Sequence, residues 1–131
     1  AFFGRFCSGE GFFYCIKISR NIEPSCGIGN FIGMLPQSMQ DSKIYGVEID
    51  KISAGIAQQL YQKTSIAAQP FEEANIPDSF FDAVIGNVPF GDIRVNDRRY
   101  NKHNFLIHDY FFAKSLDKLR IQKNFEFRNK P

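Results

Sequence analysis

The sequence predicts an α/β domain, an open doubly wound sheet of about four parallel strands with helices on its faces. Three observations carry this. Phe80 to Gly86 reads as a buried strand that runs out into Asn87-Val88-Pro89-Phe90. Gly27 and Gly29 lie between an alternating apolar stretch and a helix start, where glycine lets the backbone turn tightly and approach a ligand. Between these two stretches, Lys43 to Ile49 forms a strand pattern followed by Asp50, an N-cap residue, and a helical run.

Taken in order, residues 1–14 carry no usable periodicity. From Cys15 onward, Ile16, Ile18 and Ile22 alternate with Lys17, Ser19 and Arg20, predicting a first strand that ends at Glu23. After the loop from Glu23 to Phe31, residues Asn30, Phe31, Met34 and Leu35 start a short helix that Pro36 ends. The second strand is Lys43 to Ile49. A helix from Lys51 to about Gln62 follows, with Ile52, Ile56, Leu60 and Ala57 as its apolar face. Ser65 to Gln69 is a third strand, Ile76 to Ser79 a turn, and Phe80 to Gly86 the fourth strand. Gly91 to His103 is a polar loop, long enough for a functional role to be expected. Phe105, Tyr110 or Phe112, Leu116 and Leu119 mark a last helix. Residues 15–120 thus form one domain, and 121–131 a basic tail. With later strands missing, the fourth strand is expected to expose an edge.

With 131 residues, 44% hydrophobic and 23% charged, the chain has the size and composition of one globular domain. No apolar run approaches the roughly 18 residues needed to span a bilayer, so no membrane partner is expected. Cys7, Cys15 and Cys26 are odd in number and lack CxxC spacing, which indicates neither a zinc site nor a disulfide framework. A reduced, cytoplasmic setting is the default. The net charge of +2 divides unevenly: up to residue 93 the chain is about −4, and from Arg94 onward about +6. A polyanion lying along the basic part would fit this division, and so would a solvated helix face and tail.

The residues that carry chemistry lie in the loops after the strands. Gly27-Ile28-Gly29 with Gly33, and Glu48 nineteen residues beyond Gly29, approach a dinucleotide fingerprint, which leaves an NAD(P)-binding domain as an alternative. Against it, Glu23-Pro24 sets a carboxylate ahead of the glycines, where a pyrophosphate would be repelled. A hydride-transfer site also has no use for the tetrad Asn87-Val88-Pro89-Phe90. An amide, a backbone carbonyl and an aromatic ring would together grip a flat amine by its edge and face.

Together these stretches resemble the Rossmann-like S-adenosylmethionine-dependent DNA adenine-N6 methyltransferases over about Ile22 to Arg120. Glu23-Pro24-Ser25-Cys26-Gly27-Ile28-Gly29-Asn30-Phe31 looks like that family's cofactor loop. Gly46-Val47-Glu48-Ile49-Asp50 looks like its ribose-binding strand end, with Glu48 the ribose carboxylate. Asn87 to Phe90 looks like its catalytic motif, with Val88 in place of the first proline. More narrowly, Ile85 to Asp92 and Asp97 to Lys114 resemble the methylase portion of large helicase–methylase proteins of bacterial mobile elements, in which case this chain is a fragment. Two departures weaken the cofactor side. Pro70, not an acid, precedes Phe71, so Phe71 would pack on adenine and Glu72 would take over as acceptor. The aromatic-Thr-Pro segment that closes over methionine has no counterpart in residues 1–20.

The resemblance implies S-adenosylmethionine as cofactor, no metal, and DNA with a flipped adenine as substrate. Asn87 Oδ1 and the Val88 carbonyl would accept the amine hydrogens, and Phe90 would stack on the base. Arg98, Arg99 and Lys102 are candidate phosphate contacts, although a solvated loop explains them equally. His103 and His108 are read as packing or surface residues, and Cys26 as unreactive. The rival substrate is a protein glutamine amide, another flat nitrogen. The non-enzymatic rival is an inactive remnant. Helicase and target-recognition partners are expected in a longer parent protein.

Overall fold

A computed structural model of the chain describes residues 2–4 and 18–120. The expectations for the Cys15–Lys17 end of the first strand and for the basic tail lie outside the described residues. Five strands and three helices are present among those described: β1 (Phe2–Gly4), β2 (Arg20–Glu23), α1 (Asn30–Gly33), β3 (Lys43–Glu48), α2 (Lys51–Leu60), β4 (Ser65–Ala68), β5 (Ala83–Ile85) and α3 (Ile107–Lys118). As expected, Asp50 caps α2, its carboxylate accepting from Ser53 N at 2.9 Å.

The strands lie in the order β1-β5-β2-β3-β4. β5, β2, β3 and β4 are parallel, with Ile22 opposite Val84 on one side and Tyr45 on the other, and Gly46 opposite Ile66. The chain therefore winds outward from β2 through β3 to β4, then returns to set β5 on the other side of β2. That is the order of the first four strands of a doubly wound sheet, incomplete beyond β5. The loops leaving β2 and β5 meet at the reversal, the place where doubly wound sheets bind ligands.

The fourth parallel strand is not left bare. β1 pairs antiparallel along β5, with Phe2 opposite Ile85 and Gly4 opposite Ala83, and Phe81 forms a parallel bridge with Leu119. The expectation of an open edge is corrected: backbone from both ends of the described chain fills it.

Alternation along the parallel strands divides the core in two. On the α3 side, Ile22, Val47 and Val84 pack with Phe71, Ala74, Phe81, Tyr100, Tyr110 and Phe111. On the other side, Ile85 packs with Leu35 and Met39. α2 overturns the expected face. Ala54 and Ala57 are fully buried, while Ile52, Ile56 and Leu60 are 76%, 43% and 61% exposed. The helix is drawn against β3 and β4 through its smallest side chains. The sheet is close-packed there, since a Cβ on Gly46 would come within 3.0 Å of Cys26 Sγ and 3.2 Å of Ile66 Cγ1.

α3 shows a second departure. Tyr110 is buried as expected, but Phe112 and Leu116 are 42% and 47% exposed, and Lys114 and Lys118 are buried. Each lysine is paired. Lys114 Nζ donates to Phe71 O at 2.8 Å and to Asp97 Oδ2 at 3.1 Å, and Lys118 Nζ to Asp78 Oδ1 at 2.7 Å. Asp97 also accepts from Tyr110 Oη at 2.7 Å, which ties the long polar loop to the core. Removing one partner of a buried pair leaves the other charge uncompensated. Lys114→Ala is therefore expected to destabilise the chain by ~3–5 kcal/mol. In thermal unfolding this would be a large fall in Tm, and a change within error would show that the pair is not holding the loop.

Candidate active site

The candidate site is built where β2, β3 and β5 end side by side. Beyond β2 the backbone keeps pairing for a few residues, Cys26 N donating to Val47 O at 3.0 Å, then turns through Gly29 N to Cys26 O at 2.9 Å. Gly27 and Gly29 adopt φ of +55° and +90°, a left-handed region that disfavours side chains. The two glycines have different tasks. A Cβ on Gly29 would lie 2.5 Å from the Tyr61 ring, and one on Gly33 would also meet Tyr61, whereas a Cβ on Gly27 would meet nothing within 4 Å. Gly29 thus makes room for a side chain of this protein, and Gly27 borders open space. Gly29→Ala is expected to cost ~1–3 kcal/mol through overpacking and strain. Shortening Tyr61 to Ala in the same chain should recover part of that loss in a denaturant titration, and no recovery would rule out the clash as its origin.

Two carboxylates face this turn. Glu48 is tied at both oxygens, accepting from Gly27 N at 2.7 Å and from Asp50 N at 2.9 Å. It braces the glycine turn against the start of α2. Glu23, 4% exposed, has a buried Oε2 with no hydrogen-bond partner among the described residues. Burial first, and the charge of Glu48 second, push the Glu23 carboxyl up to about 8. Burial and the same two carboxylates push the Cys26 thiol up to about 12, so it is not a thiolate nucleophile near neutral pH. The glycine turn is therefore flanked by an acid that an arriving positive charge would ionise.

β5 delivers the tetrad to the same place. Gly86 is buried against the loop of β2, its Cβ position 3.3 Å from Glu23 Cγ and 3.7 Å from Pro24 Cδ. Asn87, the next residue, is exposed, and Val88 and Pro89 are half-buried. Val88 lines a small apolar cavity with Pro24, Phe112 and Leu116. Phe90 is 74% exposed, and one ring face stacks on His108 with centroids 5.4 Å apart and planes at 28°.

The structure thus brings together Glu23, Pro24, Ser25, Cys26, Gly27, Glu48 and the start of Asn87–Phe90. Ile49, next to Glu48, and Phe31 are 66% and 37% exposed. Phe71 is displaced from its expected role. It is 3% exposed and packed against Phe111 with ring centroids 4.9 Å apart, so a core contact replaces an open stacking face. Glu72 is half-buried, and its carbonyl receives Lys114 Nζ at 3.4 Å. Arg99 is committed to Asp78 at 2.7 Å and Asp117 at 3.2 Å, which takes it from a free phosphate contact to a structural ion pair. Arg98 and Lys102 remain exposed. Sequence reasoning missed Tyr61 behind the glycines and His108 behind Phe90. Neither sits in a motif, and both reach the site only through the fold.

Comparison with known proteins finds relatives over part of the chain. Over 82% of its length the chain is 33% identical to "Defense against restriction protein B" of Escherichia phage P1, and over 53% it is 39% identical to "Type II methyltransferase M.CvrRI" of Paramecium bursaria Chlorella virus XZ-6E. It spans 5% of the first relative's length and 18% of the second's. No protein-family profile matches. Among solved structures, an rRNA methylase from Streptococcus thermophilus aligns over 79% of this chain and 56% of its own, at 18% identity and a TM-score of 0.49. A TehB-like SAM-dependent methyltransferase from Corynebacterium glutamicum aligns over 71% of this chain and 52% of its own, at 22% identity and a TM-score of 0.47. Among the described residues no helix is long and apolar enough to cross a membrane, and no cluster of His, Cys, Asp or Glu has metal-binding form. The fold is the Rossmann-like doubly wound arrangement, incomplete beyond β5.

Proposed function

We propose that this chain is the cofactor- and amine-binding part of an S-adenosylmethionine-dependent methyltransferase acting on adenine N6 in DNA. The observation that carries the reading is the contact of Gly86 with Glu23 and Pro24, which sets Asn87 one residue from the cofactor loop at the sheet reversal. The 39% identity to a methyltransferase over half the chain supports the reaction class. The residues present suit the cofactor. The unpartnered Glu23 Oε2 would meet a cationic group, and the open side of Gly27 leaves the approach clear.

When bound, S-adenosylmethionine supplies a methyl group on an electrophilic sulfonium. The chain does the rest by position. Glu23 would balance the positive charge of the bound cofactor, and the remaining lone pairs of Glu48 would accept ribose hydroxyls. Asn87 Oδ1 and the Val88 carbonyl would accept the two hydrogens of the amine and so favour a pyramidal nitrogen with its lone pair freed from the ring. Phe90 stacks on the base for ~1–3 kcal/mol. The exposed flat ring of Phe90 favours a nucleobase over a glutamine side chain. Helicase and target-recognition segments of a longer parent would present the base.

The test is transfer of labelled methyl groups from S-adenosylmethionine to adenine-unmethylated DNA and, separately, to a glutamine-containing peptide. Transfer to DNA and not to peptide is expected. The reverse would move the substrate to protein, and failure of calorimetry to detect S-adenosylmethionine binding would leave a non-catalytic remnant.

A further inference from the structure

Phe90 is an apolar ring left 74% exposed at the mouth of the proposed site, and in water such a ring has little to hold one rotamer. A ring contact with His108 holds it. The imidazole of His108 lies against one face at 5.4 Å and 28°, which leaves the opposite face to a ligand. His108 is itself half-buried, and its Nδ1 is buried with no hydrogen-bond partner among the described residues. The other ring nitrogen, Nε2, lies 3.8 Å from Asp109 Oδ2, beyond hydrogen-bond distance, and the ring face packs on Phe90.

The element that carries His108 is tied both to the segment beyond Phe90 and to the core. α3 begins at Ile107, whose N–H donates to Ile93 O at 2.8 Å, and this bond joins the segment just beyond Phe90 to the helix. One turn later Tyr110, 1% exposed, is held by Asp97. The chain thus closes a short circuit from Phe90 through Ile93 to Ile107 and His108, anchored in the core at Tyr110.

Resting on the proposed function, we propose that His108 is a positioning residue: its imidazole backs Phe90 and holds the ring so that the free face receives a purine base. His108 touches neither the amine nor the cofactor and acts through Phe90 alone. The aromatic character of the side chain is what matters, not its proton.

The test uses the full chain and compares binding of a short labelled oligodeoxyadenylate with that of an abasic oligonucleotide of equal length, by fluorescence anisotropy. The abasic strand reports phosphate contacts only, so the affinity ratio isolates the base. The wild-type chain is expected to prefer the adenylate. His108→Ala should reduce that preference about 3- to 10-fold, His108→Phe should restore it to within about twofold, and His108→Ala added to Phe90→Leu should cause no further loss. Circular dichroism and Tm on each variant establish that it is folded. An unchanged preference in folded His108→Ala, or a His108→Phe no better than Ala, overturns this proposal and leaves the functional reading intact. No preference in the wild type overturns both.

Discussion

Replacing Asn87 with Ala is expected to lower the rate of methyl transfer about a hundred- to thousand-fold while leaving cofactor affinity within about twofold. The size follows from the task. An exocyclic amine is a poor nucleophile because its lone pair is shared with the ring, and the acceptors at its hydrogens must favour a pyramidal nitrogen. Such an interaction strengthens only as the transition state is reached, so its loss appears in kcat and not in ground-state binding. The position of Asn87 supports the split. It is exposed and follows buried Gly86, while of the groups assigned to the cofactor Glu48 is tied to Gly27 N and Asp50 N and Glu23 is buried. Single-turnover transfer and calorimetry on the same preparation measure the two quantities. Equal loss in both would mean that Asn87 shapes the cofactor pocket.

How much of this was legible in the sequence depends on how local each signal is. The first strand's end at Glu23, the Asp50 cap and the turn at Gly27 are written in neighbouring residues and the structure reproduces them, while the strands expected to end at Ile49 and Gly86 each stop one residue earlier. The two helix faces were not legible. In α2 the periodicity of Ile52, Ile56 and Leu60 is genuine, yet the sheet admits only Ala54 and Ala57, since the depth of packing is decided by strands elsewhere in the chain. In α3 a lysine looks like a surface residue until a partner is brought to it. Asp97, Phe71 O and Asp78 come from separate segments, the last two about forty residues away. The glycine motif misled for the same reason. Gly29 fits a cofactor pattern, but the side chain it accommodates is Tyr61. Phe71 followed the motif into a reading as an adenine contact, and packing with Phe111 claimed its ring.

The second large effect concerns pH. With its carboxyl pushed up to about 8 by burial and by Glu48, Glu23 is mostly protonated at neutral pH in the free chain. Unfolded, the same group would ionise near its ordinary value of 4.5. The folded state therefore holds the extra proton between about 4.5 and 8, and stability falls as pH rises through that window, by at most ~1.4 kcal/mol per pH unit. Glu23→Gln, which keeps the shape and cannot ionise, should remove most of this slope and be the more stable chain at pH 8. Cofactor binding carries the opposite sign. A sulfonium and an ammonium beside Glu23 favour the carboxylate, so binding expels its proton and affinity rises up to tenfold per pH unit toward pH 8. Above that the cofactor's own amine, with a pKa of about 8, begins to lose its charge, and affinity should turn down. Calorimetry in buffers of different ionisation enthalpy would count the released proton directly. In Glu23→Gln the rise below pH 8 should disappear along with much of the affinity. If wild type and variant instead bind S-adenosylmethionine in parallel across this range, Glu23 does not face the cofactor's charge, and the cofactor loop has been assigned to the wrong group.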